Sequence, residues 1–164
     1  MNIKKKRGIN CQLIFNQPPK TLWKVISAPN HLELFHPFCK ENIAISWDGM
    51  PYIDELEYLN GLKYVRKFVK WDPLKGYSLN IGKKQGKQSH VIWEIKEIDH
   101  ANCTLSITVY PHLLSNWPNF ISYIPYKLII KPRLYNYLLS VISGLNYFIE
   151  NNEKVPKNHF GKHK

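Results

Sequence analysis

PRLYNYLLSVISGLNYFIE, residues 132–150, carries the most regular apolar pattern in the chain. Two apolar stripes recur in it at steps of three and four, which is the spacing of neighbouring helix faces. They comprise Leu134, Leu138, Val141, Leu145 and Phe148, and beside them Tyr135, Leu139, Ile142 and Ile149. The uncharged run within this stretch, residues 134–149, is shorter than the roughly 20 residues that cross a bilayer. A helix apolar over most of its circumference must be buried on most sides, so this stretch predicts a long helix gripped by a curved surface.

The chain before this helix alternates apolar and polar residues, the period of half-buried β-strands. About seven such segments are separated by turn residues: 9–15, 43–47, 52–59, 62–71, 77–81, 91–95 and 105–109. Two short helical patterns follow the first strand, at 21–27 and 29–38, the second with Asn30 as its cap. The sequence therefore predicts an α+β fold in which the terminal helix lies across the concave face of a curved antiparallel sheet.

The Asn-Gly pair at 60–61 is the strongest hairpin signal in the chain. If these two residues form the whole loop, Glu55 lies opposite Arg66 and Asp54 lies opposite Lys67. Both cross-strand pairs then join opposite charges, which favours this register.

Lysine and arginine outnumber aspartate and glutamate by 23 to 12 in a chain of 164 residues, giving a formal charge of +11. Such a balance favours anionic partners: nucleic acid, an anionic membrane or an acidic ligand. Much of the excess lies in residues 4–7 and 154–164, which predicts basic, flexible termini around an ordered core of residues 9–150. The length predicts a single domain over residues 1–164. The chain shows no groove-reading motif, so nucleic acid is not an expected partner.

The three cysteines, Cys11, Cys39 and Cys103, are widely spaced and odd in number, which favours a reducing compartment. The basic start is not followed by an unbroken apolar run, so it does not resemble a signal peptide. We therefore expect a cytoplasmic protein. Neither a zinc-type spacing of Cys and His nor a regular phosphate-binding loop is found, so we expect no metal and no cofactor.

No charged side chain occurs between His100 and Tyr126 apart from histidine, and aromatic residues and prolines fill the stretch 110–131. An uncharged connection of this kind extends the terminal helix, covers the mouth of a cavity or rests transiently on an anionic membrane. In the last case Lys127, Lys131 and Arg133 would lie near the headgroups.

The order of elements resembles the helix-grip fold of the START/Bet v 1-like superfamily, also called SRPBCC, over residues 9–150. Local phrases are similar to an uncharacterised bacterial branch of it: His36-Pro37-Phe38-Cys39, Trp47, the series Asp54, Asn60-Gly61, Arg66 and Trp71, then Trp93, and residues 144–150. The resemblance implies a cavity between sheet and helix that holds an apolar small molecule such as a lipid, sterol or polyketide. Some members of that superfamily are cyclases, aromatases or hydrolases, and the fold alone does not decide among these.

Two groups of residues are candidates for a site in such a cavity. Glu55 and Arg66, with Tyr64 on the same hairpin face, would need a polar ligand group if that face points inward. The alternative is an ordinary ion pair on the solvent face. His36 lies where the second helix meets the sheet, and it would either act as an acid or base near neutral pH or simply pack.

The sequence thus predicts binding of a hydrophobic small molecule, which is a lipid, a polyketide-like compound or an aromatic compound. The alternative is a cyclase or dehydratase that uses His36 or the Glu55–Arg66 pair in the same cavity. The predicted ligand-binding residues are Phe35, His36, Phe38, Glu55, Tyr64, Arg66, Trp93, Leu138, Ile142 and Leu145, with Leu105 and Ile107 as further lining positions.

Overall fold

The computed structural model of the chain describes residues 8–112, 123 and 125–162. The elements in chain order are β1 (Ile9–Phe15), α1 (Pro19–Ile26), α2 (Leu32–Phe35), β2 (Cys39–Ser46), β3 (Ile53–Tyr58), β4 (Lys63–Asp72), β5 (Gly76–Gly82), β6 (Ser89–Glu97), β7 (Cys103–Tyr110), a π-helical segment (Tyr126–Ile130) and α3 (Lys131–Asn151). The predicted sequence of strands, short helices and long terminal helix is confirmed.

The seven strands form one antiparallel sheet in the order β1-β7-β6-β5-β4-β3-β2. Strands β2 to β7 follow one another as a meander, and β1 pairs with the last of them. Helices α1 and α2 carry the chain from β1 at one edge to β2 at the other. Helix α3 packs on β1, β7 and α2. This arrangement confirms the predicted α+β helix-grip fold.

Alternation along the strands builds the core because successive side chains point to opposite faces. In β7, for example, Cys103, Leu105, Ile107 and Val109 are buried while the residues between them are partly exposed. From α3, one stripe of apolar side chains meets this face, with Leu145 fully buried at its centre.

The second stripe of α3 is only partly buried, which corrects the expectation that almost the whole circumference is covered. Ile142 is fully buried, whereas Tyr135 is 42% exposed and Leu139 is 38% exposed. Periodicity shows that a residue shares a helix face with others, but what covers that face depends on distant parts of the chain. The predicted cap of the second helix is also wrong, because the Asn30 side chain accepts a hydrogen bond from the Ala44 N–H at 2.7 Å.

The predicted register of the β3–β4 hairpin is wrong by one residue. Asp54 pairs with Arg66, and Glu55 pairs with Val65. The turn closes with three residues rather than two, because the Tyr58 N–H donates to the Leu62 carbonyl at 2.8 Å. Gly61 takes the left-handed conformation at φ +83°, as in a three-residue hairpin loop with a bulge. A slip of one residue exchanges the two faces of a strand, so Asp54 points into the protein and Glu55 points outward.

Residues 152–162 fold back on the domain, so the expectation of a flexible terminus beyond residue 150 does not hold for this segment. The Val155 N–H donates to the Leu34 carbonyl at 3.0 Å, and the Asn158 N–H donates to the Pro37 carbonyl at 3.0 Å. The Lys157 ammonium group donates to a backbone carbonyl of β2. The C-terminal segment therefore braces the connection between α2 and β2.

The aromatic and proline-rich stretch 110–131 is described only in part, and its residues 113–122 and 124 lie outside the described ranges. Its residues Tyr126–Ile130 form the π-helical segment that leads into α3. Among the helices within the described ranges, none has the length and apolar character required to cross a membrane.

Candidate ligand-binding cavity

A cavity of ≈ 450 Å³ lies between the inner face of the sheet and α3. Side chains from β3 to β7 form its walls, the first half of α3 covers it, and His36 follows α2 on one side. Leu62 and Ile129 also line it, and these side chains are 40% and 51% exposed. The cavity therefore reaches the surface between the β3–β4 turn and the start of α3.

Most of the wall is apolar, as the inward positions of the strands require. Leu56, Leu79, Val91, Val109 and Val141 are all buried side chains that face the cavity. Such a surface favours the hydrocarbon or aromatic part of a ligand, because apolar area is removed from water on both sides.

Five of the predicted ligand-binding residues line the cavity: His36, Tyr64, Arg66, Trp93 and Leu138. They come from different elements, which the fold brings around one space. Ile107, a predicted lining position, lies there as well. Whether these side chains contact a ligand stays a prediction.

The other predicted residues lie elsewhere. Phe35, Ile142, Leu145 and Leu105 are fully buried in the core and are not among the lining residues. Phe38 is buried beside the cavity, with its ring stacked on Tyr137 at 5.6 Å. Glu55 lies on the outer face of the hairpin, where its carboxylate is 3.7 Å from the Lys63 ammonium group.

The inward partner of Arg66 is Asp54, and together they form a buried ion pair at the cavity wall. The Arg66 Nε donates to Asp54 Oδ1 at 2.7 Å, and Nη2 donates to Oδ2 at 2.5 Å. The two side chains are 3% and 0% exposed. This two-point geometry holds the guanidinium plane in one orientation.

His31 forms a hydrogen bond with the same guanidinium group. Its Nδ1 lies 2.7 Å from the Ala28 carbonyl, so this nitrogen carries the proton and donates. The Nε2 then accepts from Arg66 Nη2 at 3.3 Å. Burial, and next the positive charge of Arg66, lower the pKa of His31 to about 3. The imidazole is therefore neutral at physiological pH and acts as an acceptor for the arginine.

Arg66 stays charged although burial opposes its charge, because Asp54 raises the pKa of the guanidinium above its usual range. Its Nε and Nη2 are engaged by Asp54 and His31. The buried Tyr77 hydroxyl also lies close to the guanidinium, and Arg66 lines the cavity. The arginine thus presents a charge-balanced guanidinium to the cavity.

A second polar group is a chain of hydrogen bonds from His36 to Tyr58. The His36 Nδ1 accepts from the Phe38 N–H at 3.2 Å, so the imidazole proton lies on Nε2. This Nε2 lies 2.8 Å from the Tyr137 hydroxyl, which lies 3.1 Å from the Tyr58 hydroxyl. The His36 Nε2 therefore donates to Tyr137, the two tyrosine hydroxyls share a hydrogen bond, and both tyrosines line the cavity.

The last hydroxyl in this chain remains a donor. Burial raises the pKa of Tyr58 to about 12, so its hydroxyl is protonated at neutral pH. Its oxygen lies 3.1 Å from the Tyr137 hydroxyl, and the cavity lies beside it. Arg66 and Tyr58 both belong to the inner face of the β3–β4 hairpin and offer donors to the same space.

Sequence reasoning missed Asp54, Tyr58, His31 and Tyr137 as members of this site. Asp54, Leu56 and Tyr58 occupy every second position of β3 and therefore share one face. A three-residue hairpin loop would have placed them together with Arg66 on the inner face. Tyr137 precedes Leu138 on α3 and lies 101 residues from His36 in the chain. No local sequence pattern indicates that Tyr137 and His36 are in contact.

The part of the chain that the structure describes holds no cluster of three His, Cys, Asp or Glu side chains suited to a metal ion. The three cysteines are buried thiols. Besides Arg66, Tyr58, Tyr137 and His36, the polar side chains that line the cavity are Asn60, Tyr64, Ser89, His112 and Arg133.

No protein-family model and no curated protein matches this sequence. Solved structures do match in fold. A START superfamily protein from Mycobacterium smegmatis has a TM-score of 0.67 at 12% identity, over 88% of this chain and 98% of its own. DynU16, from the dynemicin biosynthetic locus, has a TM-score of 0.68 at 10% identity over 90% of this chain. The di-domain ARO/CYC BexL, from the BE-7585A biosynthetic pathway, has a TM-score of 0.66 at 10% identity over 88% of this chain.

The chain spans about half the length of two of these structures, namely 48% of DynU16 and 46% of BexL. At such low identity the comparisons concern the fold. They confirm that this chain has the START/Bet v 1-like helix-grip fold.

Proposed function

We propose that this protein binds a small molecule with an apolar body and one hydrogen-bond-accepting oxygen in the cavity between the sheet and α3. The observation that carries the proposal is the cavity of ≈ 450 Å³ with apolar walls and converging N–H and O–H donors. Ligand sites in proteins combine a concave apolar lining with a few placed polar groups, at volumes of roughly 300–1,000 Å³.

The polar end of the ligand is the part that Arg66 and Tyr58 select. Asp54 already balances the charge of Arg66, so a carboxylate is not needed to neutralise it. A carbonyl or phenol oxygen would accept from both donors without adding net charge to the cavity. A purely hydrocarbon ligand would leave these donors without partners, which is unfavourable in a site without water.

The fold supports a ligand-binding or cyclase-like role in general terms, since START superfamily and ARO/CYC structures share it. The apolar walls and the polar groups of the cavity indicate the chemical class of the ligand. We infer an aromatic ketone, a polyketide-like compound or a lipid with a single polar end group.

Filling the cavity is expected to abolish binding without unfolding the protein. Val91 is buried and faces the cavity from β6, so Val91→Trp places an indole in the space that the ligand would occupy. We expect affinity for an aromatic ketone probe such as 6-propionyl-2-dimethylaminonaphthalene to fall at least about tenfold, or 1.4 kcal/mol. Fluorescence titration of the probe measures this directly.

The matched control is Ile92→Trp, one residue further on the same strand. Its side chain points to the opposite face of the sheet, so probe binding should be unchanged. Circular dichroism checks that Val91→Trp and Ile92→Trp are folded. If folded Val91→Trp then binds the probe with the affinity of the wild type, the cavity is ruled out as the binding site.

One observation favours the alternative, a cyclase or dehydratase in the same cavity. His36, which begins the chain of hydrogen bonds to Tyr58, is only 4% exposed and lines the cavity. A His36 that relays protons would let Tyr58 act as an acid towards a carbonyl oxygen. For a dehydratase, or for a cyclase that dehydrates its product, His36→Ala would retain a bound substrate that is heavier than the wild-type compound by one molecule of water.

Mass spectrometry of the compounds that copurify with wild type and His36→Ala distinguishes the two functions. The exposed His100, in the β6–β7 turn, provides the control variant His100→Ala. The same compound in all three proteins favours binding, and a water-mass difference confined to His36→Ala favours catalysis.

A further inference from the structure

Apolar side chains are exposed along the outer side of the π-helical segment and the first half of α3. Leu128 is 68% exposed and Ile129 is 51% exposed, and Tyr135 and Leu139 follow at 42% and 38%. Leu128, Tyr135 and Leu139 are separated by seven and four residues, which places them on one helical stripe. We call these four side chains the outer stripe.

Basic side chains accompany the outer stripe. Lys127, Lys131 and Arg133 all belong to the same two helical turns, and the ammonium group of Lys127 lies 5.8 Å from the ring centre of Tyr123. The chain carries no aspartate or glutamate between Asp99 and Glu150. Within the described ranges, none of the three cations is in a salt bridge. The segment is therefore amphipathic with positive charge only.

One member of the outer stripe, Ile129, lies at the mouth of the cavity. Ile129 and Arg133 line the cavity themselves, and so does Leu134 one residue further on. A surface that covered the outer stripe would therefore lie directly against the opening.

We propose that the outer stripe and its three cations dock on an anionic phospholipid surface, with the mouth of the cavity facing the lipid. Apolar side chains of an interfacial helix enter the boundary between headgroups and acyl chains, while lysine and arginine contact the lipid phosphates. Charge complementarity selects this partner over a second copy of the chain, since two copies of an all-positive surface repel each other. An apolar ligand would then pass between bilayer and cavity without crossing water, a consequence that rests on the proposed function.

Vesicle sedimentation tests the docking without any ligand. The wild-type protein should bind vesicles of phosphatidylcholine and phosphatidylserine, bind pure phosphatidylcholine vesicles poorly, and dissociate as salt is raised. The double variant Leu128→Ser/Ile129→Ser should bind the anionic vesicles at least about tenfold more weakly, because its two largest apolar contacts are lost. The control is Ile14→Ser/Ile98→Ser, which removes side chains that are 62% and 54% exposed elsewhere.

The cations are tested in the same way. Lys127→Gln/Lys131→Gln should weaken anionic vesicle binding, whereas Lys83→Gln/Lys84→Gln, with the same change of charge in the exposed β5–β6 loop, should retain most of it. Equal losses in both pairs would show that net charge alone attracts the protein, which overturns the proposal. Loss of binding in the Ile14 and Ile98 control would do so as well.

A second copy of the chain is the competing occupant of the outer stripe. Sedimentation velocity would reveal it as a dimer that Leu128→Ser/Ile129→Ser dissociates, and that result also overturns the proposal. The cavity variant Val91→Trp separates docking from ligand binding, because Val91 lies in the wall of the sheet. It should bind vesicles normally even when the ketone probe no longer binds.

Discussion

Replacing Asp54 by alanine is expected to lower the free energy of unfolding by about 3–5 kcal/mol. The variant leaves the guanidinium of Arg66 buried without its carboxylate, and a charge that remains in the interior unpaired is strongly unfavourable. The two-point contact and the near-complete burial of both side chains make this the most consequential ion pair of the hairpin. Urea unfolding followed by tryptophan fluorescence measures the change.

The neighbouring residue Glu55 provides the control. Its carboxylate is one-third exposed and pairs with Lys63 at 3.7 Å, so Glu55→Ala should change stability by no more than about 0.5 kcal/mol. Asp54→Leu/Arg66→Met removes both charges together and should recover most of the stability that Asp54→Ala loses. Equal effects of Asp54→Ala and Glu55→Ala would contradict the register of the hairpin and the buried pair.

The second large effect is expected at Gly144, where helix α3 crosses the end of α2. A Cβ atom built there would lie 2.0 Å from the backbone carbonyl oxygen of Phe35. Because the clash is with backbone rather than with a flexible side chain, α3 and α2 must move apart. We expect Gly144→Ala to cost at least about 3 kcal/mol, beyond the gain in helix propensity of about 1 kcal/mol.

Thermal unfolding of Gly144→Ala measures this effect, and Gly49→Ala is its matched control. A Cβ at Gly49 meets no atom within 4 Å, so that variant should unfold at nearly the wild-type temperature. The contact of α3 with α2 also places Tyr137 beside His36, so Gly144→Ala should weaken binding of the ketone probe even where the protein stays folded. A stable Gly144→Ala with normal probe binding would show that this close approach is not required.

The contrast between the predicted and the observed ion pair shows where sequence reasoning succeeds. The sequence correctly predicted the hairpin, but it paired Arg66 with Glu55, whereas the structure pairs it with Asp54. The choice between Glu55 and Asp54 depended on whether the turn used two or three residues, and the Asn-Gly signal is compatible with both. Only the packing of Leu56 and Tyr58 against the core selects the face that points inward.

The amino-acid sequence by itself determined the elements and their order. Alternation with a period of two specifies strands, and steps of three and four specify helices, because these periods follow from local backbone geometry. A meander of strands and one long apolar helix leave few ways to bury their apolar faces, so the helix-grip arrangement also followed from the sequence.

The tertiary structure alone decided which side chains line the cavity and which apolar side chains of α3 remain exposed. His36 and Tyr137 meet across 101 residues, and their contact depends on how closely α3 approaches α2 at Gly144. Tyr135 and Leu139 fit the apolar pattern of a buried helix, yet they are 42% and 38% exposed. Periodicity is a property of one segment, whereas register, burial and hydrogen-bond partners are set by the segments that pack against it.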